Sequence, residues 1–539
     1  MIAFLVKLNC HQKGLTKKSY MKNKNYILVQ IALTVALGGL LMGFDASVIS
    51  GVVQFIEVEF ELTKLELGWA VASLTLTATL AMMIAGPLSD RLGRRTVLRC
   101  AAILYTISAI ASAFAPDFFW LVFARMLGGF GVGASLILAP MYIAEMAPPK
   151  IRGRLVSFNQ LNIVIGISLA FFTNYLILQL SKSDALWVEN LGIAEHNWRW
   201  MLGLEAIPAA LYYVGLFFVP KSPRWLIFQG ELDQAKKVMT RFNSEKDAET
   251  AIANILESEK NKDVEDKAGI GQLLKPKMRL VLSIGIVVAI LQQITGINAV
   301  FFYAPMIFEQ AGIGTDASFV QAILVGLVNL VFTILAILFI DKLGRKPLLS
   351  FGVAGIMITM FSLAYEFNSA TFTLSSESIE LLSQGVEESK FNSVKSITYT
   401  NEKDFNYAMV DILGIDTYEK HKEAVLKSSI SLNSKIILFA ILGFVASFAI
   451  SIGPVMWVLF SELFPNYIRG IAISFVGLIN SGVSFIVQWI FPWELEAFGS
   501  DITFLIYGVF AAIGLVFIIR VVPETKGKTL EEIEANLVK

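Results

Sequence analysis

The sequence predicts an all-α membrane protein of twelve transmembrane helices in two pseudo-symmetric six-helix bundles, and three observations carry that prediction. Of 539 residues, 55% are hydrophobic, 12% aromatic and only 16% charged, far more apolar material than one soluble core requires. Apolar runs of about twenty residues, the length that crosses a bilayer, recur along the whole chain. Two charged motifs also recur. Asp90-Arg-Leu-Gly-Arg-Arg95 returns as Asp341-Lys-Leu-Gly-Arg-Lys346, and Glu145 with Arg152-Gly153 returns as Glu462 with Arg469-Gly470. The first repeat is offset by 251 residues (Asp90 to Asp341) and the second by 317 (Glu145 to Glu462); the difference of 66 matches a polar insertion at 368–434. With that insertion set aside, two homologous halves remain.

In chain order, residues 1–24 read as a cytoplasmic tail. They hold an apolar MIAFLV and several lysines but no small-residue cleavage site. Spans are expected near 25–49, 65–88, 96–115, 118–143, 155–180 and 199–220, forming the first half (25–220). The connection 221–278 is rich in Glu and Lys and amphipathic around Leu232 to Phe242 and Ala251 to Ile255, so it predicts cytoplasmic helices joining the halves. The second half (279–522) holds spans near 279–304, 317–340, 347–367, 435–461, 470–492 and 502–522, and 523–539 is a second tail. Arg91, Arg94, Arg95 and Arg99 follow span two; Lys150, Arg152 and Arg154 follow span four; Lys342, Arg345 and Lys346 follow span eight. Basic residues mark cytoplasmic connections, so both termini are expected inside the cytoplasmic (inner) membrane. The insertion 368–434 then lies outside. Ten acidic against six basic residues fit an outer loop or small cap, with a dispensable, poorly ordered insertion as the competing reading.

The formal net charge of +0, with basic residues scattered in short clusters, gives no footing for nucleic acid. Cys10 and Cys100 suggest neither a disulfide framework nor a metal site, and His11, His196 and His421 fall in the tail and loops. No cofactor or metal is expected. No Asn-x-Ser/Thr sequon occurs, which weighs against a glycosylated surface protein.

The stretch Gln292 to Pro305 places Gln292, Gln293 and Asn298 inside an apolar run. On an unbroken helix Asn298 would point about 120° from Gln292 and about 140° from Gln293. Gly296 offers a place to bend or unwind, which membranes tolerate where the backbone is buried in protein or lines a wet cavity. A polar binding site near the midplane follows; the competing reading is amides that merely join helices. Asp45 and Arg125 are charges inside spans one and four. Each costs roughly 2.5–3.5 kcal/mol at a helix centre, so they are expected to be paired or functional. At 1.5 Å per residue their depths agree, roughly 8 Å and roughly 10 Å below the outer surface. An aspartate alternately paired and desolvated suits proton uptake and release; a static ion pair holding the two spans is the alternative.

Along essentially its whole length the chain resembles the sugar porter family of the major facilitator superfamily, and within it bacterial proton-coupled sugar symporters of the xylose type. The resemblance rests on GGLLMGFDASVISG (38–51), GPLSDRLGRR (86–95), PMYIAEMAPPKIRGRLVSFNQ (140–160), PKSPRWL (220–226), QQITGIN (292–298), DKLGRK (341–346), GPVMW (453–457), SELFPNYIRG (461–470) and VPETKGKTLEEIE (522–534), in that order. It implies the major facilitator fold, with Gln160, Gln292, Gln293, Asn298, Asn329, Trp457 and Asn480 binding substrate. It implies a proton-coupling role for Asp45, which Arg125 would pair. Amides donate and accept as hydroxyls do, and an indole covers a sugar's C–H face. Asp90, Arg94, Glu145 and Arg152, with Asp341, Arg345, Glu462 and Arg469, are expected to bridge the halves when the cytoplasmic side closes; the alternative is that they only fix topology. Three departures stand out. Lys221 occupies a position usually acidic, Phe302 replaces the first tyrosine of a pair and leaves Tyr303, and Ala449 stands where glucose facilitators carry glutamate.

The function expected is import of a monosaccharide or related polyol with a proton by alternating access, by a monomer in the lipid bilayer and without covalent chemistry. A proton-independent facilitator and, from another class, a membrane sugar sensor are the alternatives.

Overall fold

The computed structural model describes residues 17–528 and 532–534, apart from 149–150, 243–244, 266–269, 375–378, 380–390, 392–396, 401, 416–417, 419–424, 427–428 and 466–467. Among the described residues eleven helices are long and apolar enough to cross a membrane. The first half runs through Lys17–Val48, Lys64–Leu92, Arg94–Ala113, Phe118–Met146 and Arg152–Leu180. Its sixth span is broken into Asn197–Gly203 and Ala206–Gly215. Pro208 has no N–H to offer the Leu204 carbonyl, which takes a tighter bond from the Ile207 amide instead. In the second half the spans are Arg279–Ile294 with Ile297–Gln310, Thr315–Leu343, Arg345–Asn368, Ser434–Ile450 with Ile452–Leu463, Arg469–Phe498 and Ser500–Val521. The tenth span breaks at Ser451 (φ −124°, ψ −102°) because Pro454 cannot bond the Ile450 carbonyl.

Most spans outrun the apolar runs by a few residues, since helices continue past the hydrocarbon into their charged ends. Spans two and three, and spans eight and nine, are separated by one glycine each. Gly93 (φ 89°) and Gly344 (φ 95°) adopt a backbone that side-chain-bearing residues avoid. Close approach adds a second reason: a Cβ on Gly93 would stand 3.2 Å from the Trp225 ring, and one on Gly344 would stand 2.7 Å from the Glu524 carboxylate.

The connection after span six carries helices Pro223–Phe228, Leu232–Thr240 and Glu245–Glu265. The face of the molecule bearing it is called the linker face, and the opposite one the insertion face. The insertion has its own small core. Strand Thr371–Thr373 pairs antiparallel with Thr398–Tyr399 and with Ile430–Ser431, and helix Glu402–Leu413 packs Phe405 and Met409 against Phe372 and Tyr418. A packed cap, not a structureless loop, is what the described part of this segment forms.

One apolar core fills the second half and crosses to Val48, Ile49, Val52 and Trp198 at the insertion-face end of the first. A separate core, around Leu28, Val35, Leu138 and Tyr142, fills the first half towards the linker face. The seam is therefore sealed by apolar packing near the insertion face.

Candidate functional site

Span seven stops at Ile294 and restarts at Ile297, with Gly296 between them in the left-handed conformation (φ 89°, ψ 16°). A Cβ there would meet the Tyr507 ring at 2.5 Å, so both backbone and space require glycine. The break does what the sequence demanded of it. Asn298 Nδ2 donates to Gln293 Oε1 at 2.7 Å and to Ser484 Oγ at 2.7 Å. Gln293 Nε2 donates to Gln292 Oε1 and Asn480 Oδ1, both at 3.1 Å, and Asn480 Nδ2 donates to Gln292 Oε1 at 2.8 Å and the Ala289 carbonyl at 2.9 Å. Gln488 Nε2 reaches Ser484 Oγ at 2.7 Å, and Thr75 Oγ1 of the first half donates to Gln488 Oε1 at 2.7 Å. The result is an uncharged amide and hydroxyl ladder on the seam. Each member can exchange a protein partner for a ligand hydroxyl without leaving a buried group unpaired.

Ser484, Gln488 and Thr75 were not anticipated, although Asn480, Ser484 and Gln488 recur every four residues and so share one ridge of span eleven. The structure does not bring every expected residue to the ladder. Asn329 is buried in span eight, and Gln160 and Trp457 are exposed. None of the three hydrogen-bonds the amides, and Trp457 packs edge-on against Phe460.

Asp45 and Arg125 do meet, with Arg125 Nη1 3.6 Å from Asp45 Oδ1 and both side chains almost fully enclosed. That separation is an ion pair rather than a good hydrogen bond. Arg125 Nε is held by the Ala70 carbonyl at 3.0 Å, while Asp45 Oδ2 is buried without a partner. Gly128, one turn below Arg125, makes room: a Cβ there would lie 2.9 Å from Asp45 Oδ2 and 2.5 Å from Ser108 Oγ. A third ionisable group joins them. Glu205, at the break in span six, is buried, has Oε1 unpartnered, and lies within electrostatic reach of both Asp45 and Arg125. Its signal was present in the sequence as a lone acid between Leu204 and Ala206 of an otherwise apolar run. With both carboxyls ionised this cluster would hold a buried net negative charge, which one proton removes.

At the linker face the two repeated motifs build matching clusters. Arg94 pairs with Asp90 (2.8 Å) and Glu145 (3.2 Å), and Arg345 grips Glu462 through two nitrogens (2.7 and 3.1 Å). Ser222 donates to Glu145 as Thr525 donates to Glu462. These pairs lie within the halves. Among the described residues no hydrogen bond or ion pair crosses the seam at this face; Arg152 is exposed, and Arg469 bonds the Phe464 carbonyl and keeps Nη2 unpartnered. The side chain of Asp341 lies outside the described residues. Crossings of the seam gather instead towards the insertion face: Thr75 to Gln488, Trp489 Nε1 to the Leu65 carbonyl (3.2 Å), Ser168 Oγ to the Gly326 carbonyl (2.9 Å) and Lys182 Nζ to Asp316 (2.5 Å). In this conformation the expected gate residues whose side chains are described, Asp90, Arg94, Glu145, Arg152, Arg345, Glu462 and Arg469, do not bridge the halves, because the seam is joined at the opposite end.

Two six-span halves with broken helices, an uncharged polar ladder on their seam and a separate buried charge cluster in the first half define a membrane transporter of a small polar solute. Known proteins agree with that class. The sugar (and other) transporter family model matches residues 31–386 and 409–537, and the chain belongs to this family. It is 35% identical over 512 residues to the arabinose-proton symporter of Bacillus subtilis, covering 95% of each chain. It is also 35% identical over 548 residues to the D-xylose-proton symporter of Escherichia coli, covering 95% of this chain and 96% of that one. An inward-open structure of the E. coli xylose transporter XylE superimposes with a TM-score of 0.71 at 33% identity, over 95% of this chain and 100% of that one.

Proposed function

We propose that this protein imports a neutral monosaccharide, pentose or hexose, or a related polyol, together with a proton, by alternating access. The observation that carries the reading is the separation of two buried polar sites: an uncharged amide ladder on the seam, and the Asp45–Arg125–Glu205 cluster inside the first half. A neutral polyol needs donors and acceptors but no counter-ion, and the ladder offers that. A proton needs a carboxyl whose surroundings change between states, and Asp45 beside Arg125 offers that. Glu205 competes with Asp45 for the same guanidinium, so Arg125 can favour one carboxylate while the other holds the proton. Relatives named as arabinose-proton and D-xylose-proton symporters support both halves of the reading.

The linker face is cytoplasmic in this reading, because the basic connections gather there, and the protein sits in the cytoplasmic membrane with both termini inside. The conformation described is then inward-facing. The charge clusters of the linker face would join across the seam only in the outward-facing state. Radiolabelled uptake into vesicles against a panel of pentoses, hexoses and inositol, with and without a pH gradient, tests the proposal. Accumulation of one sugar above equilibrium only when the outside is acidic is expected; equilibration that ignores the gradient would turn the reading to a facilitator.

A further inference from the structure

The first half contains more buried, unpaired oxygens than its packing explains. Tyr105, Ser135 and Tyr212 are fully enclosed, yet their hydroxyls have no hydrogen-bond partner, in company with Asp45 Oδ2 and Glu205 Oε1. Phenylalanine and alanine would fill the same space without leaving buried polar atoms unpaired. The positions are not scattered. Tyr105 and Tyr212 both come close enough to the Ser135 hydroxyl to interact with it, although neither makes a hydrogen bond of good geometry, and Tyr105 also feels the charges of Asp45 and Glu205. Two glycines seat the rings: a Cβ on Gly38 would stand 2.8 Å from Tyr212 Oη and 3.2 Å from Ser135 Cβ, and one on Gly131 would stand 3.2 Å from the Tyr105 ring. The line they form has a direction. Ser135 lies ten residues beyond Arg125 on span four and Tyr212 seven beyond Glu205 on span six, so both sit roughly 10–15 Å closer to the linker face than the charge cluster. Tyr142, further along span four, then donates to the Pro220 carbonyl at that face (2.7 Å).

We propose that Tyr105, Ser135 and Tyr212 are an internal proton relay that connects the Asp45–Glu205 cluster to the linker face through the first half, apart from the sugar's path along the seam. This rests on the symport reading above. A hydroxyl accepts and donates at once, so no member of the relay ionises. The O–H bond of the protonated carboxyl breaks and one forms on Tyr105; the proton Tyr105 already carried passes to Ser135, that of Ser135 to Tyr212, and that of Tyr212 to a water admitted towards it from the linker face. Each hydroxyl ends with one proton, and bridging water completes any step too long for a direct bond. Rotation of the hydroxyls resets the line.

Tyr105→Phe, Tyr212→Phe and Ser135→Ala remove only the hydroxyls and should express as well as the parent. In proteoliposomes, sugar counterflow, which needs no net proton movement, is expected to persist in all three variants. Sugar-driven proton entry, read by a trapped pH dye, is expected to be lost in the Tyr105 and Tyr212 variants. Parental proton entry in either the Tyr105 or the Tyr212 variant overturns the relay while leaving symport standing. A parent protein that carries sugar without proton entry overturns symport and the relay together.

Discussion

Thr75 of span two donates its hydroxyl proton to Gln488 Oε1 of span eleven at 2.7 Å, so a single bond ties the first half to the amide ladder of the second. Gln488 is almost fully buried, and its nitrogen is already committed to Ser484. Thr75→Val keeps the shape and removes the donor, leaving a buried carbonyl oxygen unpaired at a cost of about 1–3 kcal/mol to this conformation. The population should move towards the state open at the insertion face. Labelling of a cysteine placed in span seven from the outside should become several-fold faster; an unchanged rate would mean that the bond is not made in the dominant state.

Within the ladder, Asn298 serves two partners and Gln293 three. Asn298→Ala or Gln293→Ala should weaken sugar binding by about 1–3 kcal/mol while membrane insertion is unaffected, because the loss is confined to polar pairing. Calorimetry on the purified variants is the check, and unaltered affinity in both would place the sugar elsewhere.

Coupling is tested most directly at Asp45. Asp45→Asn fills the same space but cannot titrate, so gradient-driven accumulation should vanish while sugar binding and exchange persist. A purely structural ion pair predicts poor expression instead, since an unpaired buried Arg125 costs about 3–5 kcal/mol. Gly128→Ala probes the same place differently: its new methyl would press on Asp45 Oδ2 and Ser108 Oγ, and the pH dependence of uptake should shift without loss of the carboxyl.

The two linker-face clusters differ in the sign of the charge at one place. In the second half Glu524 accepts the backbone N–H groups of Arg345 and Lys346, both at 3.1 Å, at the start of span nine. In the first half the equivalent place is held by Lys221, whose amine lies 5.2 Å from the centre of the Trp225 ring. Lys221→Glu should cap span three and stabilise that cluster by about 0.3–1 kcal/mol, and Glu524→Gln should weaken the other by about 0.5–2 kcal/mol. Cysteine accessibility from the linker face reads both, and opposite signs are expected.

Burial pushes the Glu524 carboxyl up, but backbone N–H groups from Lys526, Arg345, Lys346 and Thr525 outweigh it and hold the group below its ordinary 4.5. A carboxyl lowered in the folded state contributes stability above its unfolded value, lost as pH falls through the lowered one. Protease resistance of the C-terminal tail should therefore be flat from neutral pH down to about 4.5 and fall only below it. A break between pH 5 and 7 would mean that another group holds the tail.

Hydropathy, basic loop residues and motif repeats determined the span count, the pairing of the halves and the location of the amides, because bilayer thickness and charge cost act on every residue independently of its distant neighbours. The need for a break at Gly296 was also legible, since helical periodicity alone forbids Gln293 and Asn298 to converge. Contacts between spans were not. Ser484 and Gln488 belong to the ladder, and Glu205 to the Asp45 cluster, only because helices far apart in sequence pack side by side. Which end of the seam is joined was likewise a tertiary decision: the sequence places Asp90, Arg94, Glu145, Arg345 and Glu462 at one face, and only the packing of one half on the other leaves them paired within a half here.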